Sequence, residues 1–326
     1  MFGNSTKSSL LGAAALLAAT TQNAVAQAYP VKPVRLIVPA AAGGPTDIPG
    51  RIIGDALDKA MGQRFLVENR SGAGGMIGAD AVARSEPNGY TLLYANTSVL
   101  AVNPALYKNI SYDATKAFTY VGFVSSSPQV LVTNPKMPFK TFPEMLTYAK
   151  ANPSKINFAS GGIGTLPHLT FELLQLETGT KSTLINYNGG GPALVAVVAG
   201  QSDMLFDLLS ARVRSGDVRA IAVTGPSRLK EIPDVPTMTE LGLPNLTTTS
   251  GTGIVAPAGV SRDIVIALNT RLNQALADPV IQGKMQGLGL TPRSGPPSDF
   301  EAWATDQRQK WIRVVKDANV TPSPVN

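Results

Sequence analysis
Two segments of this chain run from an apolar strand through a glycine-rich turn into a helix start. One is residues 34–47, VRLIVPAAAGGPTD, and the other is residues 156–169, INFASGGIGTLPHL. A junction of this kind leaves the first N–H groups of the helix without intrahelical acceptors, and the helix dipole favours negative charge there. One such turn is an anion site of modest specificity. Two of them in separate α/β units predict a clamp that holds a small anion between two lobes.

Strand-like and helix-like segments alternate throughout, the pattern of an α/β fold with mixed, mostly parallel sheets flanked by helices. Residues 34–38, 65–69 and 90–95 read as strands. A helix is expected over 46–60, with Ile48, Ile52, Ala56 and Leu57 as its apolar face, and another over 77–83. From Phe118 the rhythm repeats. Ser125-Ser126-Ser127-Pro128 reads as a turn before a strand at 129–133, and a helix follows over 142–151. Strands at 184–187, 204–206 and 220–224 and a helix over 193–199 complete a second sheet. Two helices close the chain, one capped by Ser261 and one over 298–317. The preferred arrangement is discontinuous: residues 27–127 with 247–326 form one lobe, and 128–246 form the other.

The first 26 residues have a different character. Lys7 is their only charge, an apolar run covers 10–19, and Ala24-Val25-Ala26 supplies a small-x-small cleavage site. That layout predicts a cleavable signal peptide. No later stretch approaches the ~18 uninterrupted apolar residues of a membrane span. Lys and Arg number 28 against 22 Asp and Glu, a formal net charge of +6 with no basic run. The excess suits an anionic small ligand and excludes nucleic acid as the expected partner. With no cysteine and one histidine, His168, neither disulfides nor a metal site is expected.

No cofactor is expected either. Gly72-Ala73-Gly74-Gly75-Met76-Ile77-Gly78 follows a strand and opens a helix, but its third glycine comes one place late for a dinucleotide fingerprint. Leu92 and Leu93 stand where the ribose-binding acid belongs. An exported hydrolase is the rival class, yet the chain has no G-x-S-x-G elbow, no cysteine nucleophile and no second histidine. His168, in the first turn of its helix, reads as a pocket-lining or satisfied polar residue rather than a general base. Asp47 reads equally as a routine first-turn acid and as a ligand-side group. Asp207 lies just past a strand, where α/β sheets place ligand-binding groups, although a solvated loop acid has the same sequence. Asn96, Thr97 and Ser98 hold the same topological position, either donating hydroxyls to a carboxylate or capping the next helix.

These motifs, in this order, resemble the periplasmic solute-binding proteins of tripartite tricarboxylate transporters, the Bug family. The resemblance covers essentially all of residues 27–326. It is carried by Ile37-Val38-Pro39 with Gly43-Gly44-Pro45-Thr46-Asp47, and by Asn69-Arg70-Ser71-Gly72-Ala73-Gly74-Gly75. Further along come Gly164-Thr165-Leu166-Pro167-His168-Leu169, Tyr187 with Gly189-Gly190-Gly191-Pro192, and Pro233-Asp234-Val235-Pro236-Thr237. The resemblance implies a two-lobed Venus-flytrap binding protein, monomeric and periplasmic, that captures a small carboxylate and delivers it to a membrane permease. It implies no enzyme activity; a ligand-presenting role in a signalling system is the alternative within the same fold. Ala42, Gly43, Gly44, Thr46 and Asp47 would pinch one carboxylate against Ser160, Gly161, Gly164, Thr165 and His168. Asn96, Thr97, Ser98, Asn188 and Asp207 would approach from the far side of the pocket. Ala40-Ala41-Ala42 departs from the aromatic-proline stretch of many members, leaving more room beside the carboxylate.

Overall fold
Strand β1 (Val34–Val38) is apolar along its length because both of its faces are covered; Val34, Leu36, Ile37 and Val38 are fully buried. It is the first element of a computed structural model that describes residues 29–107, 109–209, 211–318 and 320. The expected signal peptide over 1–26 lies outside the described residues. Helix α1 (Asp47–Met61) follows, then β2 (Phe65–Asn69), α2 (Met76–Ala83) and β3 (Thr91–Asn96). A π-helical turn over Ser98–Val102 leads into the short α3 (Asn103–Leu106) and the long β4 (Phe118–Pro128).

The second sheet begins at once. β5 (Val130–Thr133) is followed by α4 (Phe142–Ala151), β6 (Asn157–Ser160), α5 (Leu166–Thr178) and β7 (Thr183–Asn186). Then come α6 (Gly190–Ala199), β8 (Met204–Asp207), α7 (Ala211–Arg214) and β9 (Arg219–Val223). The chain returns through β10 (Thr249–Pro257), α8 (Arg262–Ala277), α9 (Pro279–Gly287), β11 (Thr291–Pro292) and α10 (Pro297–Asp317).

The first sheet has the order β11-β4-β10-β3-β1-β2, and the second β7-β6-β8-β5-β9. β1 pairs in parallel with β2 and β3, and β6 with β7 and β8, while the returning β10 and the crossing β5 pair antiparallel to their neighbours. One apolar core contains residues of both sheets, with Leu93, Phe158, Phe206 and the fully buried Trp311 of α10 among them. α10 thus covers the join between the lobes. Ser261 caps α8 as expected, accepting from the Ile264 N–H.

The buried face of α1 is rotated from the one expected. Gly50, Ile53, Gly54 and Leu57 face the sheet, while Ile48 is 40% exposed. The glycines are the reason: a methyl group at Gly54 would stand 2.9 Å from Val67 Cγ2, so their missing side chains let the helix lie close on the strands. A count of apolar residues alone places the stripe elsewhere.

Ser125-Ser126-Ser127-Pro128 is not a turn. These residues extend β4 against Thr252, Gly251, Ser250 and Thr249, and Ser125 Oγ lies 2.9 Å from Thr252 Oγ1. Gln129 is the single residue between β4 and β5, and there the chain passes from one sheet into the other. It passes back between Thr224 and Thr248. The two passages are bonded together. Thr224 N donates to Gln129 O (2.8 Å) and Thr248 N to Thr224 O (2.9 Å). Gln129 N donates to Thr224 Oγ1 (2.8 Å), which donates to Thr248 O (2.7 Å). Gln129 Oε1 accepts from Thr170 Oγ1 of α5 (2.7 Å) and Thr248 Oγ1 (3.3 Å). All four side chains are buried.

Thr224→Val keeps the volume but leaves the buried Gln129 N–H and Thr248 C=O without this partner. The expected loss is about 2–4 kcal/mol of folding stability, read as a lower urea midpoint, with Thr224→Ser close to wild type. A loss below about 1 kcal/mol would show that the hydroxyl is dispensable.

Candidate functional site
The turn after β1 is built around Asp47, which is 2% exposed. Its Oδ2 accepts from the Gly43 N–H (2.7 Å) and from Arg51 Nε (3.0 Å), and its Oδ1 from Asn69 Nδ2 (2.8 Å). Asn69 also donates to Ala40 O (3.0 Å) and accepts from Arg51 Nη2 (2.7 Å). Burial raises the Asp47 pKa, but the bonds from Arg51, Gly43 and Asn69 outweigh it and hold the carboxyl below its usual value. Asp47 therefore braces the turn from behind, with Arg51 cancelling its charge. Ala42 and Gly43 are exposed in front, and Gly44 and Thr46 half-buried. The Thr46 side chain makes no capping bond to α1.

The turn after β6 uses hydroxyls instead of a carboxylate. Ser160, 1% exposed, accepts from the Gly162 N–H at 3.2 Å, and Thr165 Oγ1 donates to Gly162 O at 2.7 Å. The Thr165 proton is thus spent inside its own turn, and Thr165 does not cap α5 through its side chain. Outward donors at this helix end are the Leu166 and His168 N–H groups, since first-turn amides have no intrahelical acceptor and Pro167 has no N–H.

His168 lies behind the turn. It is 5% exposed, its Nδ1 accepts from the Gly164 N–H at 3.4 Å, and its Nε2 lies 3.8 Å from Glu172 Oε1. Burial pushes His168 down to about 4 and the Glu172 carboxyl upward. Desolvation therefore keeps the imidazole neutral at neutral pH, and because Nδ1 accepts from Gly164 its proton sits on Nε2, facing the Glu172 carboxyl.

The two turns meet a third. Gly161 O accepts from the Gly189 N–H at 3.1 Å, just ahead of α6. Pro45 Cγ would lie 3.9 Å from a methyl group on Gly190, which places the first turn over the α6 N-terminus. Asn188 is exposed beside it. Gly189–Gly191, a turn by sequence, belongs to this cluster as well, and it carries the same signal of glycines before a helix.

The remaining candidates divide. Asn96 Oδ1 accepts from the Val99 N–H at 3.1 Å and so caps the π-helical turn, where Ser98 is half-buried. Thr97 is 1% exposed and ties β3 to β10, accepting from the Gly251 N–H at 2.8 Å. It faces the interior rather than a solute. Asp207 ends β8 opposite Val130, next to the crossing at Gln129, and is half-buried. A concavity of about 590 Å³ lined by Asp55, Lys59, Asp278 and Lys284 lies toward the far end of α1, away from the turns.

The segments that converge carry almost no charge. Residues 36–46, 156–167 and 182–202 contain no Asp, Glu, Lys, Arg or His. What they offer is backbone N–H groups at three helix starts, the Thr46 hydroxyl and exposed apolar surface at Ile48 and Ile163. Such a surface receives an anion through dipoles rather than through a countercharge.

Known proteins resemble this chain in sequence and in fold. The chain is 37% identical over 297 residues to Protein BugT of Bordetella pertussis, covering 90% of this chain and 91% of that protein. An R. palustris protein solved with adipate is 30% identical, covers 90% of this chain and 100% of its own, and superposes with a TM-score of 0.86. MatC from Rhodopseudomonas palustris with bound malate is 31% identical, with coverages of 88% and 100% and a TM-score of 0.83. No helix among the described residues is long and apolar enough to cross a membrane. A family model described as the tripartite tricarboxylate transporter family receptor matches residues 50–320, and the chain belongs to that family, with its two-lobed periplasmic-binding-protein fold.

Proposed function
We propose that the protein is a periplasmic receptor that closes on a small carboxylate and delivers it to a membrane permease of the tripartite tricarboxylate type. The observation that carries this reading is the convergence of three uncharged helix starts drawn from both sheets. The relatives solved with adipate and malate support the ligand class. Ala42, Gly43, Gly44 and Thr46 would face the carboxylate from one lobe, and Gly161, Gly164 and the α5 first-turn amides from the other. Asp47, Ser160, Thr165 and His168 act behind them by holding the turns in shape. Asn188, Ser98 and Asp207 are the groups nearest in the chain to choose what lies beyond the carboxylate. The lobes are residues 27–127 with 247–326, and 128–246. They would bend at Gln129 and between Thr224 and Thr248, and residues 1–26 would be removed on export.

Calorimetry of the purified chain against aliphatic and aromatic carboxylates, each beside its amide and alcohol, tests the reading. Roughly micromolar binding, about −8 kcal/mol, is expected for at least one acid. Equal responses from the uncharged analogues would defeat it.

The two threonines separate by role. Thr46→Val removes a hydroxyl with no bond inside the helix cap, and should weaken carboxylate binding by about 1.5–3 kcal/mol with little change in stability. Thr165→Val acts only through the shape of its turn and should cost less, about 1 kcal/mol. The reverse order in a titration would mean that Thr165 donates to the solute.

His168 predicts a pH dependence. Its pKa is lowered in the folded state, so the unfolded chain takes up the proton first as pH falls. The contribution is complete above the ordinary histidine value of about 6.5 and drains away between there and about 4, amounting to about 3 kcal/mol. Urea midpoints of wild type should therefore fall more steeply over that window than those of His168→Gln. Parallel curves would show that the imidazole is not held neutral.

A further inference from the structure
The two lobes also touch at the back of the second clamp turn, through residues of the six-stranded lobe that are not part of the clamp. α3 follows the buried π-helical turn, whose Leu100 O is held by Arg308 Nε of α10 at 3.1 Å, so it is a fixed part of the six-stranded lobe. From it, the fully buried Asn103 donates through Nδ2 to Gly74 O at 3.0 Å. Tyr107, just past its end, donates through its hydroxyl to Ile163 O of the five-stranded lobe at 3.4 Å. Packing at this point leaves no slack. A methyl group at Gly164 would meet Asn103 Oδ1 at 2.7 Å and Tyr107 Oη at 3.0 Å. One at Gly74 would meet Asn103 Oδ1 at 3.0 Å and the carbonyl oxygens of Ile163 and Gly164 at 3.4 Å. Ile163 enters this contact through its carbonyl oxygen, and the residue is 40% exposed.

We propose that Gly74, Asn103 and Tyr107 form a seat for Ile163–Gly164 that stabilises lobe closure through protein contacts alone, which makes them positioning residues for the solute clamp. The inference rests on the reading of the molecule as a two-lobed receptor that opens and closes. The seat lies on the clamp turn itself, next to Thr165, so it sets where the α5 amides stand when a solute arrives. Its cross-lobe hydrogen bond is long, near the limit of useful geometry, which suits a contact that must form and break repeatedly. No carboxylate or ammonium takes part, and the tyrosine hydroxyl is pushed upward by burial, so the seat keeps its chemistry across physiological pH. Closure favoured by such a contact raises the fraction of molecules competent to hold a solute, and the apparent affinity scales with that fraction.

The chain contains no cysteine, so a labelled pair can be introduced cleanly at the exposed Lys59 of α1 and Lys150 of α4. The full chain, stripped of solutes by unfolding and refolding, would be spin-labelled at Lys59→Cys and Lys150→Cys and its inter-lobe distances measured. The proposal expects a short-distance population in wild type without added solute. Tyr107→Phe should lower the closed-to-open ratio by about threefold to fivefold, and Gly74→Ala by about tenfold. No short-distance population in wild type, or the same ratio in both variants, overturns the proposal. Titration with malate and with adipate supplies a second readout. Neither residue touches the solute, so each variant should lose the same factor in affinity for every acid that wild type binds. A loss confined to one acid would make Tyr107 part of the pocket and overturn its positioning role. Failure of wild type to bind any carboxylate would defeat the ligand reading instead, and the distance measurement would still decide the seat.

Discussion

The polypeptide passes between its two sheets at Gln129 and again between Thr224 and Thr248, and one buried set of hydrogen bonds ties the two passages together. A sheet cannot continue through a point where the chain must bend, so the backbone groups there need partners other than a ladder. The Thr224 hydroxyl supplies two of them, backbone bonds between the passages supply others, and the Gln129 side chain ties in the Thr170 and Thr248 hydroxyls. Because the groups are buried, each must be matched, and a matched network has one geometry rather than several. On the proposed reading, these two crossings, tied side by side, would be the axis about which the lobes move.

Thr170 extends the constraint toward the clamp. It sits five residues beyond Thr165 on α5, about 7.5 Å along the helix, and its hydroxyl reaches Gln129 Oε1 at 2.7 Å. One end of this short helical stretch touches the crossing and the other shapes the solute turn. A helix of this length does not flex appreciably, so the second turn moves with its lobe as a rigid piece. On the other lobe, Asp47 performs the same service for the first turn, with Arg51 and Asn69 fixing its carboxylate. Each turn is thus braced within its own lobe, and on the proposed reading their relative position would be the variable that closure sets.

How much of this is legible in the sequence depends on which interactions are local. Strand positions, the Ser261 cap and the glycine turns before α1 and α5 follow from neighbours in sequence, and they are where the reading succeeds. Ser125–Pro128 misleads because serine and proline signal turns, whereas here the serines bond across to Thr252 of β10 and to Gly289 after α9, both more than a hundred residues away. Ile48 misleads for a related reason: the helix face is chosen by glycines that permit close approach, not by the largest apolar side chains. Asp47, Thr97 and His168 are polar residues at plausible ligand positions whose partners lie inside the protein. Their side-chain direction is a tertiary fact. Asn103 and Tyr107 carry no motif at all, and only the meeting of two distant glycine turns reveals them.

Turns that carry no charged side chain would have a consequence for how a carboxylate is held. A lysine or arginine in the pocket would have to be stripped of water in the closed form, and the solute would then leave against the attraction of a bare countercharge. Backbone amides fixed at helix starts are already oriented and need no such reorganisation, and their partial charges disperse over several atoms. Each contact is individually modest. On the proposed reading their sum would be large only when both turns reach the same oxygen atoms, which requires the lobes to be closed. Binding strength would then be set by geometry and collapse when the lobes part, so the hydrogen bonds at the crossing and the fit of the two turns, more than any single side chain, would govern capture and release.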